Sequence, residues 1–207
     1  LVLGIGARGP VSVDLKSESA HVLVHAPTGL GKSAVARSVA VQRLSLGDLV
    51  IILDVKMHSH KWARQLAPVV HYADTPGDVG AALVNLGWEL ARRNRIVRDF
   101  QGPLHEAPVG PRIIVVFEET NSTLGRLKDL DKRVLDGGVR ALDAFGDVVF
   151  MGRGVKIHMV AFAQLASYRA GLTPDLIENF GTKVLIGHSE KAWKWLVPEC
   201  GRYRAAS

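Results

Sequence analysis

The chain has 207 residues, 47% of them apolar, which is enough to bury one full core around an α/β sheet of five or more strands without a second domain. Lysine and arginine (26) outnumber aspartate and glutamate (20), and the resulting +6 has the sign that suits a phosphate-rich partner, although many basic enzymes never meet nucleic acid. The single cysteine, Cys200, excludes an internal disulfide and a cysteine metal cluster and suits a reducing, cytoplasmic setting, and no apolar run approaches the ~18 to 20 residues of a membrane span.

The opening Leu1-Val2-Leu3-Gly4 has neither an initiator Met nor the layout of a signal peptide, so the expectation is a piece of a longer protein, with any membrane anchor in segments outside it. Residues 1–20 read as a short β extension, with apolar–polar alternation from Val11 to Leu15. The mostly apolar run His21 to Ala26 predicts a second strand that feeds a glycine-rich loop. Ser33 to Leu46 has helical spacing and stops at Gly47, and Leu49 to Leu53 is a continuous apolar strand ending in Asp54, which completes a βαβ unit.

Val69 to Ala73 predicts a short strand. Asp78 to Phe100 predicts a long amphipathic helix whose other face is basic, carrying Arg92, Arg93, Arg95 and Arg98. Gln101 to Pro111, with three prolines and two glycines, is a loop before the buried strand Ile113 to Phe117. Thr120 to Asp147 reads as mostly helical with a break at Gly137-Gly138. Lys156 to Ala163 is a strand ending at Gln164, Pro174 to Phe180 a short helix, Lys183 to Ile186 a strand and Glu190 to Leu196 a helix. Strands alternating with helices predict an α/β fold with a mostly parallel sheet and helices on both faces.

The segment Ala26-Pro27-Thr28-Gly29-Leu30-Gly31-Lys32-Ser33, followed by Ala34, fits the spacing of a P-loop (Walker A), with Ala26 where the strict pattern has glycine, and it lies between a strand and a helix as that motif requires. Gly29 and Gly31 allow the backbone N–H groups to turn onto a phosphate, Lys32 can reach the β- and γ-phosphates of ATP, and Ser33 can ligate Mg²⁺. Hydrolysis needs a carboxylate near the metal and a second one to orient water, and Glu118 and Glu119 follow five apolar residues at a strand end. Glu118 is read as the metal residue and Glu119 as the base. Glutamate at position 118, where aspartate is common, adds a methylene that is expected to shift the metal contact and slow turnover. Asp54, at the end of its own strand, competes for the metal role.

Gln164 would lie beside the γ-phosphate if its strand sits between the phosphate-loop strand and the acidic strand. Arg153, between Gly152 and Gly154, can reach a neighbouring subunit's phosphate or DNA, or stand as a solvated loop arginine. The arginines of the long helix are more simply a solvated face. Trp62, Trp88, Trp193 and Trp195 fit partly buried core positions. His58 and His60 lack a third ligand at zinc spacing and take no metal role.

The order of these motifs resembles the FtsK/SpoIIIE family of DNA translocases, within the HerA/FtsK superfamily that also holds the conjugative coupling proteins. The resemblance covers most of the chain and rests on five stretches: Ala26 to Ser33, Leu53-Asp54-Val55-Lys56, Val115 to Glu119, Gly152-Arg153-Gly154-Val155-Lys156-Ile157-His158, and Ala161 to Gln164. It implies a P-loop NTPase of the RecA-like (ASCE) arrangement and a homo-hexameric ring gripping double-stranded DNA through its phosphates. It also implies ATP bound between subunits, Gln164 as a polar sensor, and an arginine supplied in trans, for which Arg153 is the candidate. Glu118 for aspartate, Val55 for proline, Leu165-Ala166-Ser167 after Gln164 and Lys183 near a usual arginine mark a divergent member, such as a plasmid-transfer or phage-encoded relative. The alternative is a nucleotide-dependent assembly module with little hydrolysis; a small-molecule kinase is disfavoured by the acidic pair.

Overall fold

A computed structural model describes residues 1–6, 9–16, 19–27, 29–134, 138–164, 171–187 and 189–197. Thr28, Gly137, Leu165, Ala166, Ser167 and Cys200, all singled out in the sequence, lie outside the described residues.

Six strands form one parallel sheet: β3 (Val22–His25), β4 (Leu49–Leu53), β5 (Val70–Ala73), β6 (Ile113–Phe117), β7 (Ile157–Ala163) and β8 (Thr182–Leu185). Their spatial order is β5-β4-β6-β7-β3-β8. The central strands are buried on both faces, which is why their sequences run apolar without alternation. Along β6, Ile113, Val115 and Phe117 enter one core while Ile114 and Val116 enter the other. Along β7, Ile157, Met159, Ala161 and Ala163 face the first core and Val160 and Phe162 the second.

Helices cover both faces. α1 (Lys32–Ser45) buries Ala36, Val39 and Ala40 in the second core. On the first face lie α2 (Pro76–Asp99), α3 (Thr120–Asp131) and α4 (Ala141–Met151). Phe145 of α4 meets Phe117 edge-on at 5.9 Å, and burying a ring of that size contributes about 2 to 3 kcal/mol. The helix α2 starts where Thr75 Oγ1 accepts from the Asp78 N–H at 3.1 Å with Pro76 in its first turn. Two short helices, α5 (Pro174–Glu178) and α6 (Glu190–Leu196), flank β8 in sequence. This is the predicted α/β sheet with helices on both faces.

Two expectations need correction. The N-terminal segment is a hairpin of β1 (Val2–Gly6) and β2 (Gly9–Ser12), separate from the main sheet, and not a strand from Val11 to Leu15. Val13 and Leu15 do alternate inward, at 6% and 4% exposure, but beyond Ser12 only Val13 still pairs, exchanging backbone hydrogen bonds with Leu1 at 2.8 and 2.9 Å, and the chain turns at Leu15 and Lys16; glycines at 4, 6 and 9 hid the β1–β2 pairing from a pattern that looks for side chains. Arg93 is not on a solvated face: it is buried, donating to Glu89 Oε1 at 2.6 Å and to the Val155 carbonyl at 2.9 Å. Hydrogen bonding from Arg92, with a further contribution from Arg93, holds the Glu89 carboxyl down at about 2 against the opposing effect of burial.

Candidate functional site

In a parallel sheet the loops after the strands gather at one edge, and the strand order decides which of them meet. β7 separates the phosphate-loop strand β3 from the acidic strand β6. The register pairs His25 with Ala163 and Phe117 with Ala161, so Ala26 leaves the sheet level with Gln164, and Glu118 leaves it on the other side of β7 two residues earlier. The condition placed on Gln164 by its sequence position is therefore met.

The loop from Ala26 to Gly31 joins β3 directly to α1. Ala26 is fully buried, and its N–H donates to the Ala163 carbonyl at 3.4 Å. Gly29 (φ 85°) and Gly31 (φ 81°) have left-handed backbones, and a Cβ on either would meet nothing within 4 Å. Conformation, not space, demands glycine at both. Pro27 and Leu30 are exposed, and Ala34 lies in the first turn of α1.

Lys32 begins α1 and is 8% exposed, with Nζ donating to the Ala26 carbonyl at 2.7 Å, so its ammonium lies across the loop. Burial pulls this lysine below its ordinary value; Glu119 and Glu118 oppose that pull and Lys56 adds to it. A cavity of about 240 Å³ opens here, with Gly31, Lys32 and Ser33 on one side and Lys56, Glu118 and Glu119 on the other. The first-turn N–H groups of a helix that starts at Lys32 point toward such a cavity, which makes it a natural anion site.

Both acids are nearly buried, Glu118 at 3% and Glu119 at 8% exposure. Glu119 takes a left-handed backbone (φ 48°, ψ 41°), a conformation that costs a non-glycine residue about 1 to 2 kcal/mol. That turn ends β6 and starts α3 while placing the carboxylate on the cavity. Glu119 Oε1 accepts from Lys56 Nζ at 2.7 Å and from Gln164 Nε2 at 2.9 Å. Glu118 Oε1 accepts from His60 Nε2 at 2.9 Å.

Lys32, Ser33, Glu118, Glu119 and Gln164 thus come together. Asp54 does not join them. It is fully buried, holding the Lys56 N–H at 3.1 Å and the Tyr72 hydroxyl at 3.2 Å, and burial with this contact pushes the Tyr72 phenol up to about 12.

Arg153 sits before β7, at the opposite edge of the sheet from Gln164, roughly 20 Å away along a seven-residue strand. Its Nη2 approaches the Lys16 carbonyl at 3.4 Å, and it lines a cavity of about 360 Å³ with Lys16, Arg112, Lys156 and His158. Arg92 pairs with Glu89, and Arg98 with Asp99. Trp62, Trp193 and Trp195 pack partly buried against the cores, while Trp88 is 60% exposed and corrects its reading as core.

Sequence reasoning gave Lys56 and His60 no role at the acids. Lys56 stands in one of the stretches that carry the family resemblance; His60 offered only its spacing from His58, and that ring instead turns to the Lys56 carbonyl at 2.5 Å.

A phosphate loop, a strand inserted between it and a strand ending in two glutamates, and a glutamine on that inserted strand define the fold of a P-loop ATPase. Among the solved structures to which the chain is similar are FtsK/HerA-type ATPases, the group its motifs resemble, and the likeness is one of fold. The conjugation coupling protein TcpA of pCW3, solved as a monomer form with ATPγS, is 21% identical with a TM-score of 0.78 over 96% of this chain and 57% of its own. The cytoplasmic domain of the Thermomonospora curvata type VII secretion ATPase EccC is 13% identical, with a TM-score of 0.67 over 93% of this chain and 22% of its own. VirB4 of Thermoanaerobacter pseudethanolicus is 13% identical, with a TM-score of 0.52 over 94% and 86%. The chain thus spans little more than half the length of TcpA and under a quarter of that of EccC. It matches no protein-family model and no curated protein.

Proposed function

We propose that this chain is an ATP-hydrolysing motor domain that moves double-stranded DNA, acting as a homo-hexameric ring. The observation that carries the reading is Glu119, held by Lys56 and Gln164 at the cavity that Lys32 and Ser33 line. In this reading residues 1–207 are one ATPase domain of a longer cytoplasmic protein, with residues 1–20 as a β extension and any membrane tether in other segments.

ATP is the substrate, its triphosphate cradled by Ala26 to Ala34, with Thr28 in the same stretch. Lys32 neutralises charge on the β- and γ-phosphates. Glu119 Oε1 is occupied by Lys56 and Gln164, which leaves Oε2 to accept from a water. That water attacks the γ-phosphorus, the bond to the β–γ bridging oxygen breaks, and the proton passes to Glu119. Gln164, bonded to the base, can report whether a γ-phosphate is present. Ser33 and Glu118 offer oxygen donors at one cavity, the donor type a hard cation takes, and so fit Mg²⁺. The metal would supply charge neutralisation at the β- and γ-oxygens.

Arg153 lies too far from this chain's own loop to serve it, which favours a role toward another molecule: the phosphate of a neighbouring subunit or that of DNA. Lys16, Arg112 and Lys156, which line the cavity with it, bring positive charge that suits a phosphate of either kind. DNA contact of this sort is independent of sequence and steeply dependent on salt.

Assembly is tested by sedimentation velocity with and without ATP and duplex DNA. A nucleotide-dependent hexamer supports the ring, and a monomer at high protein concentration with both ligands removes it.

A further inference from the structure

We propose that His60 is the positioning residue of Glu118: its ring, supplied by the β4–β5 connection, fixes one carboxylate oxygen so that the other faces the cavity. The inference rests on the reading of Glu118 as the metal carboxylate and adds a residue to that site.

His60 is 0% exposed, and its Nε2 lies 2.9 Å from Glu118 Oε1. A carboxylate only accepts, so Nε2 carries the hydrogen and donates it. The other ring nitrogen, Nδ1, is buried without a hydrogen-bond partner among the described residues. A buried nitrogen left in that state is a cost that a phenylalanine or leucine filling the same space would avoid. The ring therefore earns its place through Nε2, and Glu118 is the partner it finds.

The ring's orientation is fixed from two other directions. It meets Trp62 edge-on, with centroids 6.2 Å apart, and the His60 carbonyl accepts the Ala63 N–H at 2.9 Å at the start of the 3₁₀ turn Lys61–Leu66. Glu118 is anchored by its own backbone, whose N–H donates to the Leu53 carbonyl at 2.9 Å. With both ends held, the length of the glutamate side chain acquires a purpose. An aspartate would be one methylene shorter and would draw back from His60; the glutamate spans the gap, giving Oε1 to the ring and leaving Oε2 for the cavity it lines. Residue 60 thus accounts for the departure at residue 118. The same short segment supplies Lys56 to Glu119, so each acid of the pair is held by one side chain from the chain after β4.

The test is equilibrium binding of a fluorescent ATP analogue by the intact chain, titrated with Mg²⁺, for wild type, His60→Phe, His60→Gln, Glu118→Gln and the double variant His60→Phe/Glu118→Gln. Affinity without Mg²⁺ is expected to be the same in the wild type and the His60 single variants, and the same in Glu118→Gln with or without His60→Phe. His60→Phe should raise the Mg²⁺ concentration for half-maximal tightening by about tenfold, the lower end of what losing a partner of a metal ligand costs. His60→Gln, whose amide N–H can reach Glu118, should restore most of it. In the Glu118→Gln background His60→Phe should add nothing. If His60→Phe does not fold, His60→Asn, whose amide is too short to reach, takes its place with the same expectation. A folded His60→Phe or His60→Asn with wild-type Mg²⁺ dependence, or an effect that persists undiminished in the Glu118→Gln background, overturns the role of His60. Absence of any Mg²⁺ dependence in the wild type would overturn the reading of Glu118 itself, a separate failure.

Discussion

Gln164 Nε2 donates to Glu119 Oε1 at 2.9 Å, joining the ends of two neighbouring strands that lie 45 residues apart in the chain. Lys56 Nζ reaches the same oxygen at 2.7 Å. With two donors on one oxygen, the direction of the other is set. Gln164→Ala should therefore lower kcat for phosphate release by about 10- to 100-fold, the range for losing a group that orients a reacting one, and leave nucleotide affinity nearly unchanged. Steady-state kinetics alongside nucleotide titration would check the split; an equal loss in both would show that Gln164 binds nucleotide and does not act through Glu119.

The buried Arg93 makes a prediction about stability alone. Arg93→Met removes the donors to Glu89 and to the Val155 carbonyl while keeping most of the side-chain volume. It leaves a buried carbonyl unpaired and a half-buried carboxylate with only Arg92, so unfolding free energy should fall by about 2 to 4 kcal/mol. Urea denaturation measures it. Arg98→Ala, on the same helix but solvent-exposed, should leave the midpoint unchanged.

His21 and His158 predict acid sensitivity within a defined window. Burial lowers His21 to about 3, with His158 adding to the effect. Burial also lowers His158 to about 4; hydrogen bonding to the Ala20 carbonyl opposes this, and Arg112 lowers it further. The neutral form of His21 is also required by geometry, since its Nδ1 accepts the Met159 N–H at 2.9 Å. As pH falls below about 6.5 the unfolded chain protonates these rings and the folded one does not, so the unfolded state binds more protons and stability declines. The contribution is complete above about 6.5 and lost progressively down to about 4 for His158 and about 3 for His21, at up to roughly 1.4 kcal/mol per pH unit for each. His21→Phe, if folded, should flatten the thermal-midpoint profile between pH 6.5 and 4.

Two glycines flanking Arg153 differ in what they demand. A Cβ on Gly152 would lie 2.6 Å from the Ile157 carbonyl oxygen, a backbone atom with no room to yield. A Cβ on Gly154 would meet nothing within 4 Å. Gly152→Ala should cost about 1 to 3 kcal/mol and Gly154→Ala little, as read by thermal or chemical unfolding.

The sheet was legible because its central strands carry their signal locally: five consecutive apolar residues in β6 and five in β7 (159–163, after His158), each followed at once by the polar residues of the site. The phosphate loop was legible for the same reason. Spacing along the chain did not reveal pairings set by the strand order. His60 meets Glu118 across 58 residues and Lys56 meets Glu119 across 63, contacts that exist only because β4 lies beside β6. Arg93 and Trp88 were misplaced because helical periodicity locates a face without saying what covers it: Val155 and its turn pack over Arg93, while Trp88 is left exposed. The hairpin β1–β2 was obscured by glycines that carry no side-chain pattern.

A DNA-driven motor is checked by phosphate release from ATP, measured for the wild type, Lys32→Ala and Glu119→Gln with and without linear duplex DNA at low salt. Turnover in the wild type is expected to be stimulated by DNA. Both variants should lose it, Lys32→Ala by losing nucleotide and Glu119→Gln while still binding it. Nucleotide binding with no turnover under any condition would contradict the motor and leave an assembly module controlled by ATP.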